Sequence, residues 1–146
     1  MDAGKAARFD TIVTVRENQK KQTTRELYQI SLEKVVQIER LNNLNTEQQN
    51  AFDQSFKDHR TKASEMQVFS SFVKKLSSEI TKQTSTVKKI ETKEDIKREE
   101  LFERVKAKTI VEKLQNKFRE EFRKEVEHKE QLLTDSLNQR IEIKQS

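Results

Sequence analysis

The chain has no proline and no cysteine, and its one glycine, Gly4, stands near the N-terminus. From Lys5 to Ser146 nothing is present that reliably stops a helix. A compact domain of 146 residues needs tight turns, and tight turns draw on Gly and Pro. The missing cysteine excludes a disulfide scaffold, a thiolate nucleophile and a zinc–cysteine site. No glycine-rich loop is available to bring backbone amides to a phosphate. Long apolar runs are also missing: Ile12-Val13 and Val35-Val36 are far too short to span a bilayer, so no direct membrane insertion is expected. The N-terminus, with Asp10 and Arg16 around a short apolar stretch, does not have the pattern of a secretory signal.

What the chain has is charge, at 38% of residues, with a net of only +5. The signs are mixed, 11 basic to 9 acidic over residues 1–63 and 14 to 13 over 93–146. No segment is a basic patch, so the basic pI does not point to nucleic acid. Leu, Ile, Val and Phe make about a quarter of the chain, above the range of disordered composition. Carboxylates fall mostly beside Lys or Arg at helical spacing, as in Glu120–Lys124, which is the pattern of a solvated helix face. His59 and His128 are isolated from each other and read as surface residues, so no metal and no cofactor is expected. Nothing resembles a Ser–His–acid arrangement. The chain reads as a protein without catalytic residues.

The apolar residues follow the alternating 3–4 spacing of a coiled-coil seam. One register runs Phe9, Val13, Arg16, Lys20, Thr23, Leu27, Ile30, Lys34, Gln37, Leu41, Leu44, with Val35 and Ile38 widening the stripe. A second runs from Phe69 through Val73, Leu76, Ile80, Gln83, Val87, Ile90, Glu94, Lys97 and Leu101 to Ser136. Past Leu101 the stripe drifts toward Val105, Leu114, Val126, Leu133 and Leu137, as in a straighter helix. Between the two registers the apolar spacing lapses over residues 57–62, and Ser64-Glu65-Met66-Gln67 has the form of a capping box.

These features predict an all-α chain forming a single coiled-coil domain over residues 1–146. It has a helix over about 6–58, a turn at about 58–64 and a longer helix over about 65–143. The two fold back as an antiparallel coiled-coil hairpin, expected to be monomeric when free. With the turn near residue 61, Phe9 falls opposite about residue 113, and roughly the last 30 residues overhang their partner at about 1.5 Å each. That overhang carries Phe118, Phe122, Val126, Leu132, Leu133 and Leu137, an apolar face suited to a partner. At the other end Phe69, Val73 and Leu76 lie on the seam, and Phe72 lies beside it.

Three stretches resemble the FliJ family of the bacterial flagellar export apparatus: RFDTIVTVRE (Arg8 to Glu17), SEMQVFSSFVKKLSSEI (Ser64 to Ile80) and KAKTIVEKLQNKFREEFRKEVEHKEQLLTDSLNQR (Lys106 to Arg140). The third is the most specific, although Phe118 stands where the family usually has a basic residue. The resemblance implies a stalk like that of rotary ATPases. Its paired helix ends would enter the pore of the hexameric flagellar export ATPase and promote its assembly and activity. The tip would reach the membrane export gate and handle export chaperones. Carried onto this chain, Phe72 and Leu76 would be export-gate contacts. Phe118, Arg119, Phe122, Arg123, Lys124 and Leu132 would face the ATPase ring. The implied location is the cytoplasm, at the cytoplasmic face of the inner membrane, held there through the export apparatus. Two other readings share the helical pattern: the equivalent stalk of a virulence type III secretion injectisome, and a generic structural coiled-coil dimer. A basic RNA-associated helical protein would need steeply salt-dependent binding.

Overall fold

A computed structural model describes residues 3–57 and 62–145. Among them there are two helices and no strand: α1, Ala3–Lys57, and the longer α2, Ala63–Gln145. The two pair antiparallel. His59 and most of the expected turn lie outside the described residues. Contacts divide the chain into two compact units, Met1–Lys21 with Phe102–Ser146, and Gln22–Leu101.

The unit Gln22–Leu101 is a helical hairpin. Its contacts step in opposite directions along the two helices: Phe52 on Phe69, Gln48 on Ser77, Gln37 on Gln83, Lys34 on Glu94 and Glu26 on Lys97. The most buried apolar side chains of the described residues, Leu76, Val87 and Ile90, all belong to this unit and to the 3–4 register. Thr23, Gln83 and Glu94 are equally buried in the same register. A two-helix seam is only one side chain thick, so its polar positions cannot turn to water and must find partners across it. Val35 departs from expectation. It is 62% exposed, because it projects from the back of α1, and only Ile38 flanks the stripe.

The start of α2 also differs from the capping box expected at Ser64. The first helical residue is Ala63, which makes Lys62 the cap. The Lys62 carbonyl accepts from the Met66 amide at 3.0 Å, and the Lys62 amide donates back to Glu65 Oε2 at 3.4 Å. Glu65 therefore does what Gln67 was expected to do, two residues earlier, and its charge suits the positive end of the helix.

In the other unit, residues 3–21 of α1 pair with α2 up to Arg119. Lys108 Nζ bonds Glu17 Oε2, Gln115 Nε2 donates to Asp10 Oδ1 at 2.6 Å, and the Phe9 and Phe118 rings lie 5.2 Å apart. The expected drift of the stripe past Leu101 is not followed. Arg104, Lys108, Val111, Gln115 and Phe118 stay on the inner face, while Val105 and Leu114 are exposed. Local alignment to α1 overrides the drift of the apolar pattern, because the paired polar residues hold α2 in the 3–4 register.

Candidate functional site

The pairing in the first unit ends at Phe118 and Arg119. Phe118 is half-buried, stacked at a 40° tilt on Phe9, with Lys5 Nζ 5.0 Å from its ring centre. Arg119 is exposed and reaches Asp10 at 3.4 Å. Phe9 thus faces Phe118, not residue 113, so the uncovered part of α2 begins about one turn later than the sequence implied. A one-chain pattern shows which residues enter a seam but not which residue of the other helix each one meets.

Beyond Arg119 every described side chain is exposed, over about 40 Å of helix at 1.5 Å per residue. At 100° per residue, Phe122, Val126, Leu133 and Leu137 fall on one stripe, with Ile141 at its edge. Phe122 is 43% and Leu133 63% exposed, which is a large apolar surface to leave in water. Lys129, Arg140 and Lys144 sit along the same stripe, and a shallow groove near its end is lined by Leu137, Arg140, Ile141, Ile143 and Lys144. A complementary surface would be apolar with acidic groups set among the apolar ones. Arg140 ends the third stretch that resembles the family, whereas Lys144 lies beyond it, although the helical spacing that found Leu133 and Leu137 also locates Lys144.

The other residues expected to face a ring are placed unevenly. Leu132 and Lys124 are exposed, Leu132 at the side of the stripe. Arg123 is exposed but engaged along its own helix, with Nη2 and Nε on Glu120 at 2.5 and 3.2 Å and Nη1 on Glu127 at 2.5 Å. The bond to Glu120 raises the guanidinium's already high pKa, and the same bond holds the Glu120 carboxyl below its usual range. Both charges are therefore fixed at neutral pH, and any partner of Arg123 has to compete with Glu120 and Glu127.

The second surface belongs to the hairpin unit. Phe72 is 40% exposed and borders a shallow groove on α1 formed by Asn43, Thr46, Glu47, Asn50, Ala51 and Gln54. Leu76, one turn on, is only 3% exposed and lies in the seam. The two expected gate contacts therefore differ: Phe72 leaves part of its ring on the surface, and Leu76 is packed in the seam. Phe52 and Phe69, edge to face at 5.8 Å, close the packing beside them.

Among the described residues no group of His, Cys, Asp and Glu is arranged to hold a metal ion, and no helix is long and apolar enough to cross a membrane. No curated protein and no solved structure matches the chain. The family model described as flagellar FliJ protein matches residues 5–146. With that match over nearly the whole sequence, and with two antiparallel helices of which the second is longer, the chain belongs to the flagellar FliJ protein family, coiled-coil components of flagellar protein export.

Proposed function

We propose that this protein is the stalk of the flagellar export ATPase. The C-terminal stripe of α2, with the paired ends of α1 and α2 behind it, enters the pore of the hexameric enzyme and promotes its assembly and turnover. Phe72, supported from below by Leu76, contacts the membrane export gate, and the same end of the molecule receives export chaperones. The protein works at the cytoplasmic face of the inner membrane, held there by these partners, and contributes no catalytic group of its own.

The observation that carries this reading is the helix over residues 120–145, whose described side chains are all exposed and whose apolar stripe bears Lys129, Arg140 and Lys144. An asymmetric stalk in a six-fold pore touches one or two subunits differently from the rest. Differential contact of that kind is what biases subunit conformations. The ion pairs along the stripe are exposed and weak, so they exchange readily instead of fixing one angle.

The test is ATP turnover by the cognate flagellar export ATPase, titrated with the whole chain and with Leu133→Asp, Leu137→Asp, alongside the light-scattering mass. Stimulation by a monomer, abolished in the double variant, is the expected result. Full stimulation by the double variant, or a dimer that leaves turnover unchanged, overturns the reading.

A further inference from the structure

Two polar layers cross the hairpin formed by residues 22–101, with Val87 and Ile90 of α2 between them. In one, Glu94, only 2% exposed, accepts on both carboxylate oxygens: Lys34 Nζ is 3.2 Å from Oε1, Ser31 Oγ is 3.3 Å from Oε2, and Arg98 Nη2, one turn along α2, is 2.6 Å from Oε1. In the other, the buried Gln83 amide donates from Nε2 to the Gln37 carbonyl oxygen at 2.9 Å and to Gln37 Oε1 at 2.7 Å. Both layers sit in the seam, where a coiled coil otherwise places apolar side chains.

A slip of seven residues is the smallest that returns every seam residue to an equivalent seam position. After such a slip, in one direction or the other, Lys34 meets Leu101 or Val87, and Glu94 meets Leu41 or Leu27. Gln37 meets Ile90 or Leu76, and Gln83 meets Leu44 or Ile30. These neighbours are apolar. The slip also carries Gln37 toward Glu94 in one direction and Lys34 toward Gln83 in the other, so each slipped alignment breaks both native pairs, re-forms one mixed polar contact and sets the remaining polar groups against aliphatic side chains, a situation buried polar groups tolerate badly.

The other cross-helix bonds do not discriminate in this way. Lys97 bonds Glu26 at 2.7 Å, but Glu33 stands one heptad on. Gln48 bonds Ser77 at 2.9 Å, but Ser70 and Thr84 stand one heptad to either side. In the other unit Asp10 and Glu17 are seven apart, as are Lys108 and Gln115, so a heptad slip re-forms an acidic contact whichever way it goes. Apolar layers accept exchange of one aliphatic side chain for another.

We propose that the Lys34–Glu94 and Gln37–Gln83 layers together form a register lock, which admits one of the heptad-spaced alignments of α1 and α2 and excludes its neighbours. The two layers give up apolar burial for uniqueness of pairing, a use of seam polar groups known from other coiled coils.

The chain has no cysteine, so introduced pairs report alignment without background. Gln48→Cys is combined in separate chains with Ser77→Cys, Ser70→Cys or Thr84→Cys, and intramolecular cross-linking is read by mass. In the otherwise native chain only the 48–77 pair is expected to close. When Lys34, Gln37, Gln83 and Glu94 are all replaced by Leu, the 48–70 or 48–84 pair is expected to close as well, while the melting temperature rises. Returning Lys34 and Glu94 to the four-leucine chain should restore the single 48–77 product. If the four-leucine chain fails to fold, Lys34→Leu with Glu94→Leu is read in the same way. A leucine-filled seam that still closes only 48–77 overturns the proposal, as does slippage in the native chain.

Discussion

The seam inside residues 22–101 and the seam that joins residues 3–21 to 102–119 follow one spacing but fill it differently. The first holds Leu76, Val87 and Ile90, all buried, with polar layers between them. The second places Arg16, Lys20, Arg104, Lys108 and Gln115 on its inner positions, and its apolar members Phe9, Val13, Val111 and Phe118 are only half-buried. Apolar area removed from water scales with stabilisation, so the hairpin unit carries most of the folding free energy. The unit at the chain ends is held by the Phe9–Phe118 stack and a few ion pairs. Stability in a helical protein is local in this sense, and the less stable segments are where partners are accommodated.

The contrast is sharpest under core truncation. Leu76→Ala in the hairpin is expected to cost about 2–4 kcal/mol, measured by thermal or urea unfolding, because a buried leucine loses its transfer free energy and leaves a void. A loss no larger than that of Val111→Ala would erase the distinction between the units.

Acid is the next lever. The Lys34 hydrogen bond holds the Glu94 carboxyl below its ordinary value of 4.5, against the opposing effect of burial, with Arg98 adding to the depression. A depressed carboxylate contributes stability that is fully present above its unfolded pKa and is lost as pH falls through the lower, folded one. The native chain should therefore lose stability steeply below about pH 4.5. Glu94→Gln should start lower at neutral pH and show a shallower acid limb. Parallel acid limbs for the two chains would show that Glu94 gains nothing from its partners.

Smaller effects separate the covered from the uncovered part of α2. Phe9→Ala removes one ring of the stack on Phe118 and is expected to cost about 1–2 kcal/mol. Phe122→Ala lies one turn further on, at an exposed position, and is expected to change stability by less than about 0.5 kcal/mol. Equal losses at the two positions would mean that residues 120–145 are covered in solution.

The sequence displayed much of this. Without Pro or internal Gly, and with a sustained 3–4 spacing, the helical class and both inner faces were legible, even at polar positions such as Thr23, Gln83, Glu94 and Gln115. The alignment between helices was not legible. Phe9 meeting Phe118 depends on cross-helix pairs that a single chain does not print. The cap itself was less legible: Ser64 offers a hydroxyl, yet Glu65, one position later, reaches the Lys62 amide and sets the cap two residues earlier in the chain. The candidate surface was legible as a set of apolar residues, while Lys144, which falls within the same stripe, did not stand out amid so many charges. The spacing placed Leu76 on the seam and Phe72 beside it, and the burial of the two follows that difference.

The uncovered helix of residues 120–145 continues directly from paired helix, so its turns form by propagation and bear no nucleation penalty of their own. Near its start Arg123 pairs along the axis with Glu120 and Glu127. A partner that takes up this segment meets a preorganised ligand. The association has side-chain rotamers to order but no backbone to fold, so the heat-capacity change on binding should correspond to the apolar area of the stripe alone.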